Sequence, residues 1–338
     1  MEYYEVIEQQ KKKLHTAIQW WPEYFYHFTD VRNALGIIDK EWIYDRNTAV
    51  EQHLMESDNA SSSVIEATLS STKHYGRLYF RPLTPTQYHN EGYKPAHVRR
   101  YEINANCPMP IFFCLDAERT LQMPGVCFVE RGMAGGMHGS LCSGVEAYRQ
   151  LNFAKIYHNG PHEAGSDITQ YRHSEIVREN GIPIEGVLRK ICCRTLAEKQ
   201  TLLYLLQRQL PYKYKKYYGM IEYNPRLNMF YNNGIFIKRI KQTNKGLFVE
   251  LNDAALRAGR DKAIGNDLKM EIELYWTNMQ NREVIQKETQ FCWLNYARHT
   301  GVNIPVEKKY SNLVLVAITF DGVLMYEDYV NLTMLETV

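Results

Sequence analysis

Three short segments place polar side chains where a strand ends or begins, and such positions suit ligand binding and catalysis. His27 and Thr29 lie on one side of a short aromatic strand, and Asn33 follows one turn into the next helix. Neutral donors and acceptors in this arrangement suit a ribose or a carboxamide. The alternative interpretation is a capped helix beside a hydrogen-bonded core histidine.

The other two segments place a charged side chain beside an apolar strand. Arg81 directly follows such a strand, so it is either an ion-pair partner or a clamp for phosphate or transition-state charge. Glu175 begins an apolar strand, where an unpaired carboxylate would be costly. The structural alternative for Glu175 is a salt bridge to Arg172 or Arg178.

A glycine-rich stretch at residues 132–144 predicts a functional loop, because glycine permits positive φ and close backbone approach. The sequence contains no phosphate-loop or GxGxxG pattern, no HExxH zinc site, no complete zinc-deaminase signature and no GxSxG nucleophile elbow. Its seven cysteines are odd in number and include no CxxC pair. We therefore expect reduced thiols in a cytoplasmic protein, without a structural zinc site.

The strands that must position these residues are predicted to form mixed or antiparallel sheets, because few helices separate them along the chain. Asp30 is a candidate N-cap for the helix that follows the aromatic strand. Longer helices are predicted at residues 195–209 and 282–297. The chain ends in a predicted hairpin that turns at Asp321 and Gly322.

Composition and charge narrow the class of protein. The 338 residues are 45% hydrophobic and 23% charged, as in globular proteins, and no apolar run is long enough for a membrane helix. The net charge is only +2, yet residues 189–245 hold 13 Lys and Arg against 2 Asp and Glu. Tyrosines interrupt this basic tract, a combination that suits single-stranded nucleic acid. A solvated face is the alternative.

Taken together and in order, these segments resemble the DarT family of nucleic-acid ADP-ribosyltransferases. The resemblance covers roughly residues 20–210, and Gly136–Ser140 lies where the family has its substrate-facing loop. Its motifs are His27-Phe28-Thr29 with Asn33, Tyr79-Phe80-Arg81 with Thr84-Pro85, and Arg172 with Glu175 and Val177.

The resemblance implies an α+β fold of the ADP-ribosyltransferase type. Two small mixed or antiparallel sheets with flanking helices would form a split pair, with NAD as co-substrate in the cleft and no metal. Residues 1–212 would form the catalytic domain. Residues 213–338 would form a C-terminal α+β extension that binds substrate or a partner.

The resemblance also implies roles for individual residues. Glu175 would be the catalytic carboxylate, and Arg81 would orient NAD and fix Glu175 by charge pairing. NAD would be held by His27, Thr29 and Asn33. The nucleic acid would be held by His138 and Arg172. The charge of the basic tract adds Lys213, Lys215 and Lys216 to this set.

The implied function is a toxin that transfers ADP-ribose from NAD to a base of single-stranded nucleic acid, with DNA expected first and RNA second. A cognate antitoxin protein would hold it in check, often in defence against phage. Two alternatives stay open from the sequence: an ADP-ribosyltransferase that modifies protein, and a catalytically inactive nucleic-acid-binding protein.

Overall fold

The computed structural model describes residues 2–54, 73–99, 106–133, 140–258, 267–278, 281–307 and 312–333. His138 and the middle of the glycine-rich stretch, residues 134–139, lie outside the described residues. Within these ranges, none of the helices combines the length and hydrophobicity needed to cross a bilayer.

Two helices predicted from the sequence begin at side-chain caps, and the predicted cap at Asp30 is confirmed. Asp30 accepts a hydrogen bond from the Arg32 N–H, and Thr195 forms a capping box with Glu198. In chain order the helices are α1 Tyr3–Lys13, α2 Val31–Lys40, α3 Arg46–Glu51, α4 Pro85–Asn90, α5 Ala117–Leu121, α6 Val145–Arg149, α7 Phe153–Ile156, α8 Ile168–Tyr171, α9 Leu196–Gln209, α10 Pro211–Tyr217 and α11 Ala255–Ala258.

The strands fall into two groups along the chain, one before and one after residue 231. The first group is β1 Tyr24–Asp30, β2 Trp42–Ile43, β3 Tyr75–Tyr79, β4 Pro110–Asp116, β5 Val126–Val129, β6 Glu175–Glu179, β7 Ile182–Pro183, β8 Leu188–Cys193 and β9 Ile221–Tyr223. The second is β10 Ile237–Thr243, β11 Gly246–Leu251, β12 Leu268–Thr277, β13 Val284–Leu294, β14 Gly301–Pro305, β15 Leu313–Phe320 and β16 Val323–Asn331.

A seven-stranded sheet in the order β5-β6-β3-β1-β4-β8-β9 organises the first group. β1 pairs with β4 along its whole length, but it meets β3 through one register pair, Tyr26 with Tyr79. The sheet is therefore nearly divided between β1 and β3. This arrangement matches the expected split pair of small sheets.

The two faces of this sheet are covered differently. Phe25, Phe113 and Ile176 face the main hydrophobic core, to which the buried sides of α2 and α9 also belong. Tyr26 and Phe112 belong to a smaller aromatic cluster. The helices thus bury one face, while the smaller aromatic cluster lies on the other.

The second group builds a mostly β extension with its own core. A three-stranded sheet, β10-β11-β14, accompanies a four-stranded sheet, β13-β12-β15-β16. The predicted terminal hairpin is confirmed, whereas the helix predicted at residues 282–297 is wrong, because Val284–Leu294 pairs with β12 over ten register positions. The predicted boundary after residue 212 stays a prediction, although β9 joins the seven-stranded sheet beyond it.

A buried charged cluster connects the two groups. Arg194 forms ion pairs with Glu198 and, at 3.7 Å, with Glu91, and all three side chains are at most 1% exposed. The Arg194 guanidinium also lies 3.7 Å from the centre of the Phe236 ring in the extension. Burial raises the pKa of Glu198 to about 7, although the Arg194 charge opposes that rise.

Candidate active site

Glu175 occupies the first position of β6 and is 4% exposed. Its Cα is in register with Tyr79 of β3, which is in register with Tyr26 of β1, so the three lie in one row across the sheet. Burial raises the pKa of Glu175, while the Arg77 guanidinium and a backbone N–H oppose the rise. A buried carboxylate with a raised pKa is suited to accept a proton.

Arg77, and none of the arginines named from the sequence, pairs with Glu175. Its Nη1 lies 3.6 Å from Oε1 of Glu175, diagonally across the β3–β6 pair. Sequence reasoning missed Arg77 because the pairing depends on strand register. The available signal was the alternation of Tyr75, Arg77 and Tyr79 along one side of β3.

The expected pairings of Glu175 are therefore corrected. Arg81 donates its hydrogen bonds to other groups, and Arg172 donates to the carbonyl oxygens of His158 and Gly160. Arg178 donates to the carbonyl oxygens of Pro124 and Gly181. All three guanidiniums are committed to backbone carbonyls, and among the described residues Arg77 alone forms an ion pair with this carboxylate.

The segment that follows β5 fixes the other oxygen of Glu175. The Met133 N–H donates to Oε2 of Glu175 at 2.8 Å. Gly132 precedes it at φ +77°, and a Cβ there would lie 2.8 Å from the carbonyl oxygen of His173. Glycine is thus required for this close approach. The start of the glycine-rich stretch therefore positions the carboxylate.

Tyr79 extends the row beside Glu175. Burial and the nearby Glu175 charge raise the pKa of Tyr79 to about 12, so its hydroxyl stays protonated at neutral pH. A protonated phenol can donate a hydrogen bond or present its ring to a planar ligand. Tyr79 belongs to a motif that carries the family resemblance, although no role for it was predicted from the sequence.

His27 spans the gap where β1 and β3 part. Its Nδ1 lies 3.2 Å from the carbonyl oxygen of Arg77. A carbonyl oxygen only accepts, so Nδ1 carries the proton and Nε2 of the neutral ring is an acceptor. The contact ties β1 to the residue whose side chain pairs with Glu175. Alternation along β1 directs His27 to the opposite side of the strand from Tyr26.

The buried environment of His27 predicts a measurable pH dependence. Burial lowers the pKa of His27 to about 4, below the ordinary value of 6.5. As the pH falls through 6.5, the unfolded chain takes up this proton before the folded chain does, so stability falls between pH 6.5 and 4. The free energy of unfolding, relative to His27→Asn, should therefore fall by about 1–2 kcal/mol from pH 7 to pH 5.

Urea unfolding of the two proteins at both pH values measures this difference. The comparison cancels the opposite contributions of buried carboxyl groups such as Glu198, whose raised pKa is common to both proteins. A difference that is constant across the pH range would show that His27 titrates normally in the folded chain.

Arg81 and Arg172 converge on one loop. Both donate to the carbonyl oxygen of His158, and Arg81 also donates to Pro82 and Asn159. Arg81 is 1% exposed and stacks 4.6 Å from the Trp21 ring centre. Burial, with the Arg172 charge as a smaller cause, lowers the pKa of Arg81 to about 9. Neither guanidinium forms an ion pair with a described residue, so their positive field favours an anion.

Thr29 and Asn33 are both buried at the end of β1 and the first turn of α2. Thr29 shares the side of β1 that carries His27, as the sequence predicts. Asp30, between them in sequence, also accepts a hydrogen bond from the Met109 N–H at 3.4 Å. These contacts hold the strand-to-helix junction in place, and the assignment of Thr29 and Asn33 to NAD stays a prediction.

Acids from elsewhere in the chain pair with several cations of the basic tract and lower its net charge. Lys213 and Lys216 both lie within 2.8 Å of Glu41, and Lys216 also reaches Glu185. Lys215 is exposed on the same helix, α10. Lys238, Arg239 and Lys241 all surround Glu250. A local charge counted along the sequence therefore overstates the positive surface, and the role of these lysines in nucleic-acid binding stays a prediction.

The chain is similar to proteins of known family. The sequence model of the DarT family, described as ssDNA thymidine ADP-ribosyltransferase, matches residues 26–231. The match includes β1, β3 and β6, and with them His27, Arg81 and Glu175. No curated protein matches the chain significantly.

Solved structures give distant matches. Thermus sp. 2.9 DarT in complex with NAD+ is 14% identical, with a TM-score of 0.45, over 62% of this chain and 98% of that chain. The same protein with ADP-ribosylated ssDNA is 14% identical, with a TM-score of 0.46, over 62% and 97%. Thermosipho africanus DarTG in complex with ADP-ribose is 13% identical, with a TM-score of 0.43, over 66% and 54%.

The family match spans more than half of the chain, and it contains the strands that build the row of Glu175. The expected α+β ADP-ribosyltransferase fold is confirmed. The chain belongs to the DarT family of ssDNA thymidine ADP-ribosyltransferases, and it is an NAD-dependent enzyme.

Proposed function

We propose that this enzyme transfers ADP-ribose from NAD to a thymidine base in single-stranded DNA, with Glu175 as the catalytic carboxylate. The observation that carries the proposal is the buried Glu175 carboxylate, held by the Met133 N–H and Arg77 beside the split in the sheet. The family description supports DNA as the acceptor.

The reaction follows from these groups. The bond between ribose C1″ and nicotinamide breaks, and its electron pair leaves with nicotinamide. Positive charge develops at the ribose, where a nearby carboxylate stabilises it. A ring nitrogen of the base bonds to C1″, and its proton passes to Glu175, whose raised pKa suits that acceptance.

The remaining site residues orient the reactants. Arg77 holds one oxygen of Glu175, and His27 holds the backbone of Arg77, so both act as positioning residues. Arg81 stabilises the loop at His158, and the half-buried Arg172 beside it provides positive charge for the pyrophosphate of NAD. Thr29 and Asn33 support the end of β1 that faces the ribose.

We further propose that the enzyme is a cytoplasmic toxin restrained by an antitoxin protein. This proposal follows the family resemblance, and it requires a partner that limits the modification of DNA. The catalytic unit is proposed to end near residue 231, because β9 completes the seven-stranded sheet and the family match ends there.

Incubation with labelled NAD tests the acceptor. We expect label on a single-stranded oligonucleotide that contains thymidine. The same sequence as a duplex should carry about a tenth of that label or less, because unpairing and unstacking a base costs a few kcal/mol. An oligonucleotide without thymidine, a uridine-containing RNA and a protein mixture serve as controls.

The outcomes separate the possible acceptors. Label that disappears on digestion with a DNA nuclease supports DNA as the acceptor. Label that survives the nuclease but disappears with a protease would assign protein as the acceptor. Equal labelling of RNA and DNA, or of duplex and single strand, would also contradict the proposal.

A further inference from the structure

A cavity of about 550 Å³ lies between α9 and the four-stranded sheet of the extension. It lies largely beyond the residues that match the family, and the proposed chemistry at Glu175 does not use it. Its volume is within the range of small-molecule sites. Its lining residues are Tyr204, Gln207, Arg208, Tyr275, Thr277, Arg282, Val284, Leu315, Glu327 and Tyr329.

Strand register builds the floor of this cavity. Tyr275, Leu315 and Tyr329 are in register across β12, β15 and β16, so their side chains form one row on the same face of the sheet. Tyr204 from α9 meets Tyr329 edge to face, with ring centres 5.7 Å apart. The floor and this wall are aromatic, as in sites on which a planar base stacks.

The two arginines that line the cavity differ in whether a carboxylate pairs with them. Arg208 is paired with Glu327 at 2.7 Å. Arg282 is exposed, stacks 4.9 Å from the Tyr329 ring centre and forms no ion pair with a described residue. An uncommitted guanidinium beside an aromatic floor is suited to bind a phosphate group while the ring binds a base.

An unpartnered hydroxyl points to a ligand independently. Thr277 is 1% exposed, and its Oγ1 has no hydrogen-bond partner among the described residues. A buried hydroxyl without a partner is costly to the fold. Because Thr277 lines the cavity, a ligand with a polar edge would supply the missing hydrogen bond.

We propose that this cavity binds one nucleotide of the single-stranded DNA acceptor, outside the catalytic site. The base packs on the aromatic floor of the cavity, its polar edge bonds to Thr277, and its phosphate contacts Arg282, which moves off the Tyr329 ring. The proposal rests on the proposed function, since it assumes a single-stranded DNA acceptor. The extension would then hold the DNA strand at a nucleotide distant from the base that is modified.

Binding of a fluorescein-labelled 20-nucleotide thymidine strand to the full chain, measured by anisotropy without NAD, tests the proposal. Tyr329→Ala should raise Kd about tenfold, because stacking on one aromatic ring accounts for roughly this much affinity. Arg282→Glu should raise Kd by a similar factor. Arg282→Ala should also reduce the slope of log Kd against log salt by about 0.7, as expected for one lost contact to a single strand.

Two further variants separate binding from folding. Thr277→Val removes the unpartnered hydroxyl while it keeps the shape, so it should leave the thermal unfolding midpoint unchanged or higher and weaken binding about threefold. Arg298→Glu makes the same charge change as Arg282→Glu at an exposed position outside the cavity, and it should leave Kd within about twofold.

The results also distinguish this proposal from the proposed function. Unchanged Kd in the Arg282 and Thr277 variants, with normal labelling of thymidine DNA, would overturn the cavity proposal alone. Equal increases in Kd in Arg282→Glu and Arg298→Glu would also overturn the cavity proposal, because a general charge effect would then explain the binding. A wild-type chain that labels no thymidine strand would overturn the proposed function.

Discussion

Replacing Glu175 with glutamine should lower the rate of ADP-ribose transfer about 10²–10⁴-fold, the usual range for one acid–base or electrostatic group. Glutamine keeps an oxygen that can accept from the Met133 N–H. It cannot carry negative charge toward the ribose, and it cannot take the proton from the base. Labelled NAD with thymidine-containing single-stranded DNA measures the rate.

A matched control lies on the same strand. Glu179 ends β6 and is exposed, so Glu179→Gln removes one carboxylate while the site stays intact, and we expect a normal transfer rate. Expression of the wild type should arrest growth, whereas the Glu175→Gln protein should be tolerated. Transfer at more than a tenth of the wild-type rate in Glu175→Gln would remove Glu175 from the mechanism.

Replacing Arg194 with methionine should lower the free energy of unfolding by about 3–5 kcal/mol at pH 7, because removing one partner of a buried ion pair leaves uncompensated charge. Arg194 faces both Glu91 and Glu198 in the buried cluster, and it also donates to the carbonyl oxygen of Pro108 at 2.9 Å. The guanidinium further packs on Phe236 of the extension. Urea unfolding measures the change.

A second substitution tests whether the uncompensated buried charge is the cause. Adding Glu198→Gln to Arg194→Met removes one of the uncompensated carboxylates, so it should recover part of the lost stability. Arg298→Met is the control, since Arg298 is exposed and should change stability by less than about 0.5 kcal/mol. An equally small change in Arg194→Met would mean that hydrophobic packing alone joins the two groups of strands.

Local sequence patterns predicted the elements that are decided by neighbouring residues. The Asp30 cap, the helix that starts after Thr195 and the turn at Asp321 are all present as expected. Each depends on a short stretch of chain: a side chain capping a helix, or two residues that turn a hairpin. The position of Glu175 at the start of an apolar strand was predicted in a similar way. Its catalytic role was implied by the family resemblance and stays a prediction.

Features that depend on distant pairing were not predictable in this way. Arg77 is opposite Glu175 only because of the β3–β6 register, and the sequence suggested Arg81, Arg172 or Arg178 instead. The residues of β13 alternate between half-buried and exposed, as in a strand. Pairing with β12 stabilises this strand in place of the predicted helix.

The basic tract illustrates the same limit for charge. Its surplus of 11 positive charges is a property of residues 189–245 along the chain. In the fold, Glu41, Glu185 and Glu250 come from outside or beyond that tract and neutralise many of its lysines. A surface potential depends on which residues meet in space, and composition within a window does not contain that information.

The single register pair between β1 and β3 has a mechanical consequence. Backbone hydrogen bonds between strands make a sheet stiff, and here they are nearly missing along one line, with Tyr26 and Tyr79 as the shared position. Each half keeps its own ladders, β6 with β3 on one side and β4 with β1 on the other. The sheet is therefore most compliant along a seam beside Glu175, and the two halves can separate slightly there while every other ladder remains intact.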